Sequence, residues 1–142
     1  MELDPSNPFG HWILARCLDA GNQLLEALAE AEKAANLSGG SQPYSEHLGY
    51  AYARIGDRGG AREIIRQMLE LGKTKYVSAY YLGVIYASLG EPDLAIEWLE
   101  KAYVERTARL LEVFDPAFDS LRSDVRFQDL VRRIGLPMQE SR

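Results

Sequence analysis

His11, His47 and Cys17 are the side chains best suited to metal binding or nucleophilic chemistry, and they are the only histidines and the only cysteine in 142 residues. A helix-borne metal site needs ligands three or four residues apart, or a local Cys/His/Asp cluster, and neither histidine has such company. Cys17 sits among small and apolar residues with no base beside it, which reads as a buried structural thiol rather than an activated thiolate. The carboxylate pairs Glu30/Glu32 and Asp93/Glu97 suit exposed helix faces and are given no acid–base role. Gly59-Gly60 superficially fits a phosphate loop, but no Gly-Lys-Ser/Thr follows. No catalytic residue, no metal and no cofactor is expected, and the chain reads as a non-enzyme.

The elements must then be asked what they position. Hydrophobic residues make up 46% of the chain and charged ones 26%, the balance of a globular domain with a core of its own. One cysteine allows no internal disulfide. The net charge of −5 argues against a nucleic-acid backbone as partner, because that binding draws on clustered positive charge. Met1 is followed by Glu2, Asp4 and two prolines rather than by a basic and then apolar run, so no signal peptide is expected and a cytoplasmic location is. The long uncharged stretch from Tyr76 to Gly90 is too short for a membrane span of about 20 residues. It predicts a buried helix.

An internal repeat accounts for that helix. At an offset of 34 residues, Leu48-Gly49 falls on Leu82-Gly83, Tyr52 on Tyr86, Gly56 on Gly90, Ala61 on Ala95 and Ile65 on Leu99. One further step back places Leu14-Ala15, Ala27 and Ala31 in the same register. Small residues recur where two helix backbones must approach, and bulky ones recur beside them to fill the gap. Turns carry Gly56-Asp57 and Gly90-Glu91-Pro92, glycine ending one helix and an acidic residue or proline opening the next. Helices are predicted over 8–20, 23–36, 43–55, 58–71, 75–89 and 92–104. Two glycines in the first turn of the fourth mark the second unit as the least stable.

A 34-residue period with a leucine-small pair, an aromatic residue and a recurrent small residue resembles the tetratricopeptide repeat family. The resemblance implies an all-α solenoid of three helix-turn-helix repeats, over 8–41, 42–75 and 76–107, within a 1–107 segment that opens on the tail of a missing repeat. Beyond it the period stops. A short helix to Phe114, a restart at Asp115-Pro116 and a helix capped by Ser123-Asp124 and ending at Gly135 are predicted. Residues 108–137 read as capping helices, with Phe127, Leu130, Val131 and Ile134 as one apolar stripe, and 138–142 as a tail. The closing segment also resembles the end of repeat arrays in bacterial multidomain signalling proteins and transcriptional regulators.

In that family the first helix of each repeat lines a concave surface that binds proteins or peptides. The matching positions here are Phe9, Trp12, Ile13 and Arg16; Glu46, His47, Tyr50 and Arg54; and Val77, Tyr80, Tyr81 and Val84. The set is aromatic, and the partner-binding residues are expected to be Phe9, Trp12, Arg16, His47, Tyr50, Arg54, Tyr80, Tyr81 and Val84, taking a protein or peptide segment. The basic clamp of chaperone-binding members is not matched, since Arg16 is the one basic residue at those positions. Two other readings compete: self-association as a homodimer through the amino-terminal end, and a small-ligand sensor within a larger signalling protein. No membrane partner is expected.

Overall fold

The computed structural model describes residues 6–105 and 116–134. Six helices alternate in hairpins: α1 (Pro8–Ala20) with α2 (Leu24–Leu37), α3 (Gln42–Arg54) with α4 (Arg58–Leu71), and α5 (Ala79–Ser88) with α6 (Pro92–Val104). A 3₁₀ helix (Pro116–Leu121) and α7 (Val125–Ile134) follow. The chain is all-α over the described residues, and no described helix is long and apolar enough to cross a membrane. It divides into two compact units, Met1–Val77 and Ser78–Arg142.

The 34-residue period has a direct structural expression in the turns. Asn22, Gly56 and Gly90 all take positive φ, at 61°, 85° and 76°. After each, the next residue's amide closes onto the carbonyl five positions back: Gln23 to Leu18 at 2.8 Å, Asp57 to Tyr52 at 2.9 Å and Glu91 to Tyr86 at 3.0 Å. This left-handed C-terminal stop satisfies carbonyls that the helix end would otherwise leave open. Glycine adopts it without a Cβ penalty and asparagine is the usual substitute, which is why Asn22 replaces glycine without losing the turn.

Helix starts follow their sequence signals. Pro8 sits in the first turn of α1, where the Asn7 side chain accepts from the Phe9 amide at 2.9 Å, and Asp57 caps α4 by accepting from the Gly60 amide at 2.8 Å. The fifth helix begins later than its periodicity predicts. The Gln42 side chain donates to the Tyr76 carbonyl at 2.7 Å, and Ser78 is extended, so the chain enters α5 only at Ala79.

In the first unit the helix interface is built on alanines: Ala15, Ala27, Ala31, Ala34, Ala51 and Ala61 are buried, with Leu48, Ile64, Ile65 and Met68 filling between them. In the second, Leu82, Ile85, Leu99, Phe118, Leu121 and Leu130 are sealed from solvent. A Cβ added at Gly83 would lie 2.9 Å from Leu99 Cδ2, so the predicted close approach of α5 and α6 is real. α7 buries Phe127, Leu130 and Val131, three of the four residues of its apolar stripe. It is tied to α6 by Arg126 with Asp93 at 2.9 Å and by Arg133 with Glu100. The helix predicted up to Phe114 lies outside the described residues.

The glycine pair of α4 divides into two different cases. At Gly60 a Cβ would stand 2.7 Å from Tyr52 Cδ1 and 2.8 Å from Cγ, atoms near the root of a side chain that cannot swing clear. At Gly59 the nearest neighbour would be Asp57 Oδ1 at 3.7 Å, ordinary contact distance. Gly60 is therefore required by the Tyr52 ring packed against its backbone, and Gly59 is not. Gly59→Ala should raise the melting temperature, gaining up to about 1 kcal/mol of helix propensity, while Gly60→Ala should lower it despite the same gain. Thermal melts that move in the same direction for both would contradict this packing.

Candidate functional site

All the aromatic residues of the first unit except Tyr76 lie on α1 and α3. Phe9 is 54% exposed and its ring centroid lies 5.7 Å from that of Trp12; Trp12 meets the edge of Tyr44 at 6.1 Å and 71°. Such tilted and edge-on pairs are the favoured arrangement of ring quadrupoles. Arg16, one helical turn after Trp12, places its guanidinium carbon 5.0 Å from the indole centroid. Arg54 repeats the device on α3, 5.6 Å from the Tyr50 ring, and donates from Nη1 to the Tyr50 hydroxyl at 2.7 Å. Its Nη2 reaches Asn22 Oδ1 in the α1–α2 turn at 3.5 Å. Neither arginine has a carboxylate partner among the described residues.

His47, expected at this surface, is buried instead. Its Nε2 stands 2.9 Å from Asp19 Oδ2, and the two side chains are 6% and 8% exposed. The atoms are close without being aligned as a hydrogen bond. Asp19 is not among the expected contact residues, yet the sequence carries a signal for it: in the 34-residue register its counterparts are Ala53 and Ala87. A carboxylate at a small apolar position needs a partner, and His47 is that partner. Tyr44 carries no such signal, because it lies outside the register of Trp12 and meets that ring through the α1–α3 contact.

His11 belongs to a separate arrangement. Its Nδ1 lies 2.6 Å from Glu30 Oε1, and Lys33 Nζ lies 2.9 Å from Glu30 Oε2. Burial pushes the Glu30 carboxyl up, but the hydrogen bonds from His11 and Lys33 outweigh it and hold the group below its ordinary range. The two histidines thus face different carboxylates and serve α1–α2 and α1–α3 packing respectively. Cys17, read as buried, is exposed. Cys17 lies midway between the buried Ala15 and Asp19, two residues and so about 200° of helix from each, and therefore falls on the side opposite to them.

The expected contact residues of α5 are also placed differently. Tyr80, Tyr81 and Val84 are buried, with Tyr80 only 1% exposed. Phe118 of the 3₁₀ helix meets Tyr80 edge-on at 5.8 Å, and Phe127 of α7 stacks behind Phe118 at 5.9 Å. Within the second unit the segment after α6 covers that face of α5. All of Ala79–Ala87 is buried, as expected of a helix apolar on every side.

Helical hairpins closed by matching turns define an all-α helical-repeat protein. Residues 78–103, which span α5 and nearly all of α6, match the tetratricopeptide repeat family, so the chain contains a tetratricopeptide repeat there. No curated protein and no solved structure matches the chain. Repeats of this family generally mediate protein–protein interaction.

The placements separate core aromatics from surface ones in a measurable way. Tyr80→Ala should cost about 3–5 kcal/mol of stability, the range for truncating a buried aromatic. Phe9→Ala should stay within about 0.5 kcal/mol, as exposed substitutions do. Urea unfolding of the two variants decides it; comparable losses would mean that Tyr80 and Phe9 are misassigned.

Proposed function

We propose that this protein is a non-catalytic interaction module that docks a protein or peptide segment on the α1/α3 aromatic face, through Phe9, Trp12, Arg16, Tyr50 and Arg54. The observation that carries this reading is the pair of guanidinium groups held over Trp12 and Tyr50 with no carboxylate of their own among the described residues. A guanidinium has five N–H donors, so Arg54 keeps donors for a partner after giving Nη1 to the Tyr50 hydroxyl and Nη2 to Asn22 Oδ1, and Trp, Tyr and Arg dominate binding energy when an interface desolvates them. The fitting partner presents an apolar side chain to Phe9 and Trp12 and carbonyl or carboxylate acceptors to the arginines. His47 acts from beneath, fixing α3 to α1 through Asp19. The three hairpins are read as three tetratricopeptide repeats, with the segment after α6 as a cap.

Self-association is a second reading, favoured by one observation: Phe9, Ile13 and Leu25 on the first hairpin are exposed at 54%, 41% and 72%. Exposed apolar side chains gathered on one hairpin are the kind of surface that a second copy covers.

Affinity capture from native extract tests the first reading, comparing the wild type with Trp12→Ala/Tyr50→Ala/Arg54→Ala after matching their circular dichroism. Loss of a specific partner by the variant is expected. Retention of the same proteins by both would remove the α1/α3 face as the site, and a wild-type mass that rises with concentration in sedimentation would promote self-association.

A further inference from the structure

A second concavity lies elsewhere in the first unit and shares no residue with the aromatic face. This groove of about 490 Å³ runs across α2, α3 and α4, within the size range of ligand pockets. Leu48 and Ile64 supply its apolar lining, and Glu32, Glu63, Tyr52 and Gln67 its polar lining. None of the lining residues is basic.

The Glu63 charge is real at working pH. Hydrogen bonds from Arg66 and Gln67 hold the Glu63 carboxyl down at about 2. Burial, with the Glu32 and Asp57 carboxylates, pushes the Tyr52 phenol up, so it stays a neutral donor, and it donates to Glu32 Oε2 at a long 3.4 Å. Glu32 has no cationic partner among the described residues. Arg66 grips Glu63 through both oxygens, Nε to Oε1 at 2.9 Å and Nη2 to Oε2 at 2.7 Å, and Gln67 Nε2 donates to Oε2 at 3.1 Å, so that of the roughly four acceptor sites of the carboxylate one, on Oε1, is left for an incoming donor. Tyr52 is fixed in the groove wall by its contact with Gly60, which presents a ring at a set position rather than a loose one.

Two carboxylates, a fixed tyrosine, a side-chain amide and an apolar lining, without any base, form the complement of one side chain. A guanidinium hydrogen-bonds to carboxylate and amide oxygens in its plane, stacks on an aromatic ring and carries an apolar stem; an ammonium does only part of this. We propose that this groove receives an arginine side chain from a partner protein, with Glu32 and Glu63 as acceptors, Tyr52 as the stacking face and Leu48 and Ile64 against the stem. The site is independent of the α1/α3 face, and either can fail without the other.

The probe is a blocked Gly-Arg-Gly tripeptide titrated into the ¹⁵N-labelled protein, with the amides of Gly39, Gly40 and Gly60, which line the groove, as reporters. Saturable shifts with a Kd of about 1–10 mM are expected for so small a probe. The citrulline tripeptide, neutral and of the same shape, should produce none. Glu32→Gln/Glu63→Gln should weaken the response at least about tenfold, while Glu70→Gln, which breaks an exposed pair with Lys73 outside the groove, should leave it unchanged. Shifts that are absent, that survive in the double variant, or that citrulline reproduces would overturn the proposal. So would a response to putrescine that equals or exceeds that of the arginine peptide. The citrulline comparison uses the wild type alone and holds even if the double variant folds poorly.

Discussion

Everything in these hairpins depends on bringing two helix backbones close enough to touch. Where α5 meets α6, Gly83 leaves room for Leu99, and Ala95 and Ala102 are fully buried between the same helices. Closeness is stabilising because dispersion falls off steeply with distance, and a helix pair separated by a single extra methyl forfeits contacts along its length. The turns serve the same end. A positive φ at Asn22, Gly56 or Gly90 stops one helix and reverses the chain within three residues, so that the next returns against it.

That constraint made much of the fold legible in the sequence. Residues needed at the closest points have to be small, they have to recur with the hairpin, and the 34-residue register follows from them. The bounds of α1, α2, α3, α4 and α6 lie within one residue of their expected positions for this reason, and α5 starts late because a side chain outside its own helix, Gln42, takes the Tyr76 carbonyl. The glycine pair of α4 looked like a weakness. Only the packing of Tyr52 on Gly60 turns half of it into a requirement, and that contact crosses the turn between α3 and α4, where helical periodicity does not run.

The candidate site was legible in part. Phe9, Trp12, Arg16, Tyr50 and Arg54 lie at the surface or half-buried where the register places them, because the interactions that set them, ring pairs and stacked guanidiniums, run along or between neighbouring helices. His47, Tyr80, Tyr81 and Val84 share that register and are nonetheless buried. What buries Tyr80 is Phe118, from a segment that obeys no repeat period, and what holds His47 is a carboxylate standing where the other units carry alanine. Periodicity tells which way a side chain points from its helix. It does not tell what arrives from outside the repeat to cover it.

The close approach itself is open to one direct measurement, a double-mutant cycle between Gly83 and Leu99 by urea unfolding. With Leu99 in place, Gly83→Ala should destabilise, since the new Cβ would lie 2.9 Å from Leu99 Cδ2. In the Leu99→Ala background the space is free, and the same substitution should become neutral or stabilising by up to about 1 kcal/mol, the helix propensity of alanine over glycine. An unchanged effect of Gly83→Ala in the two backgrounds would mean that the helices do not meet there, and the account of the hairpin would fail with it.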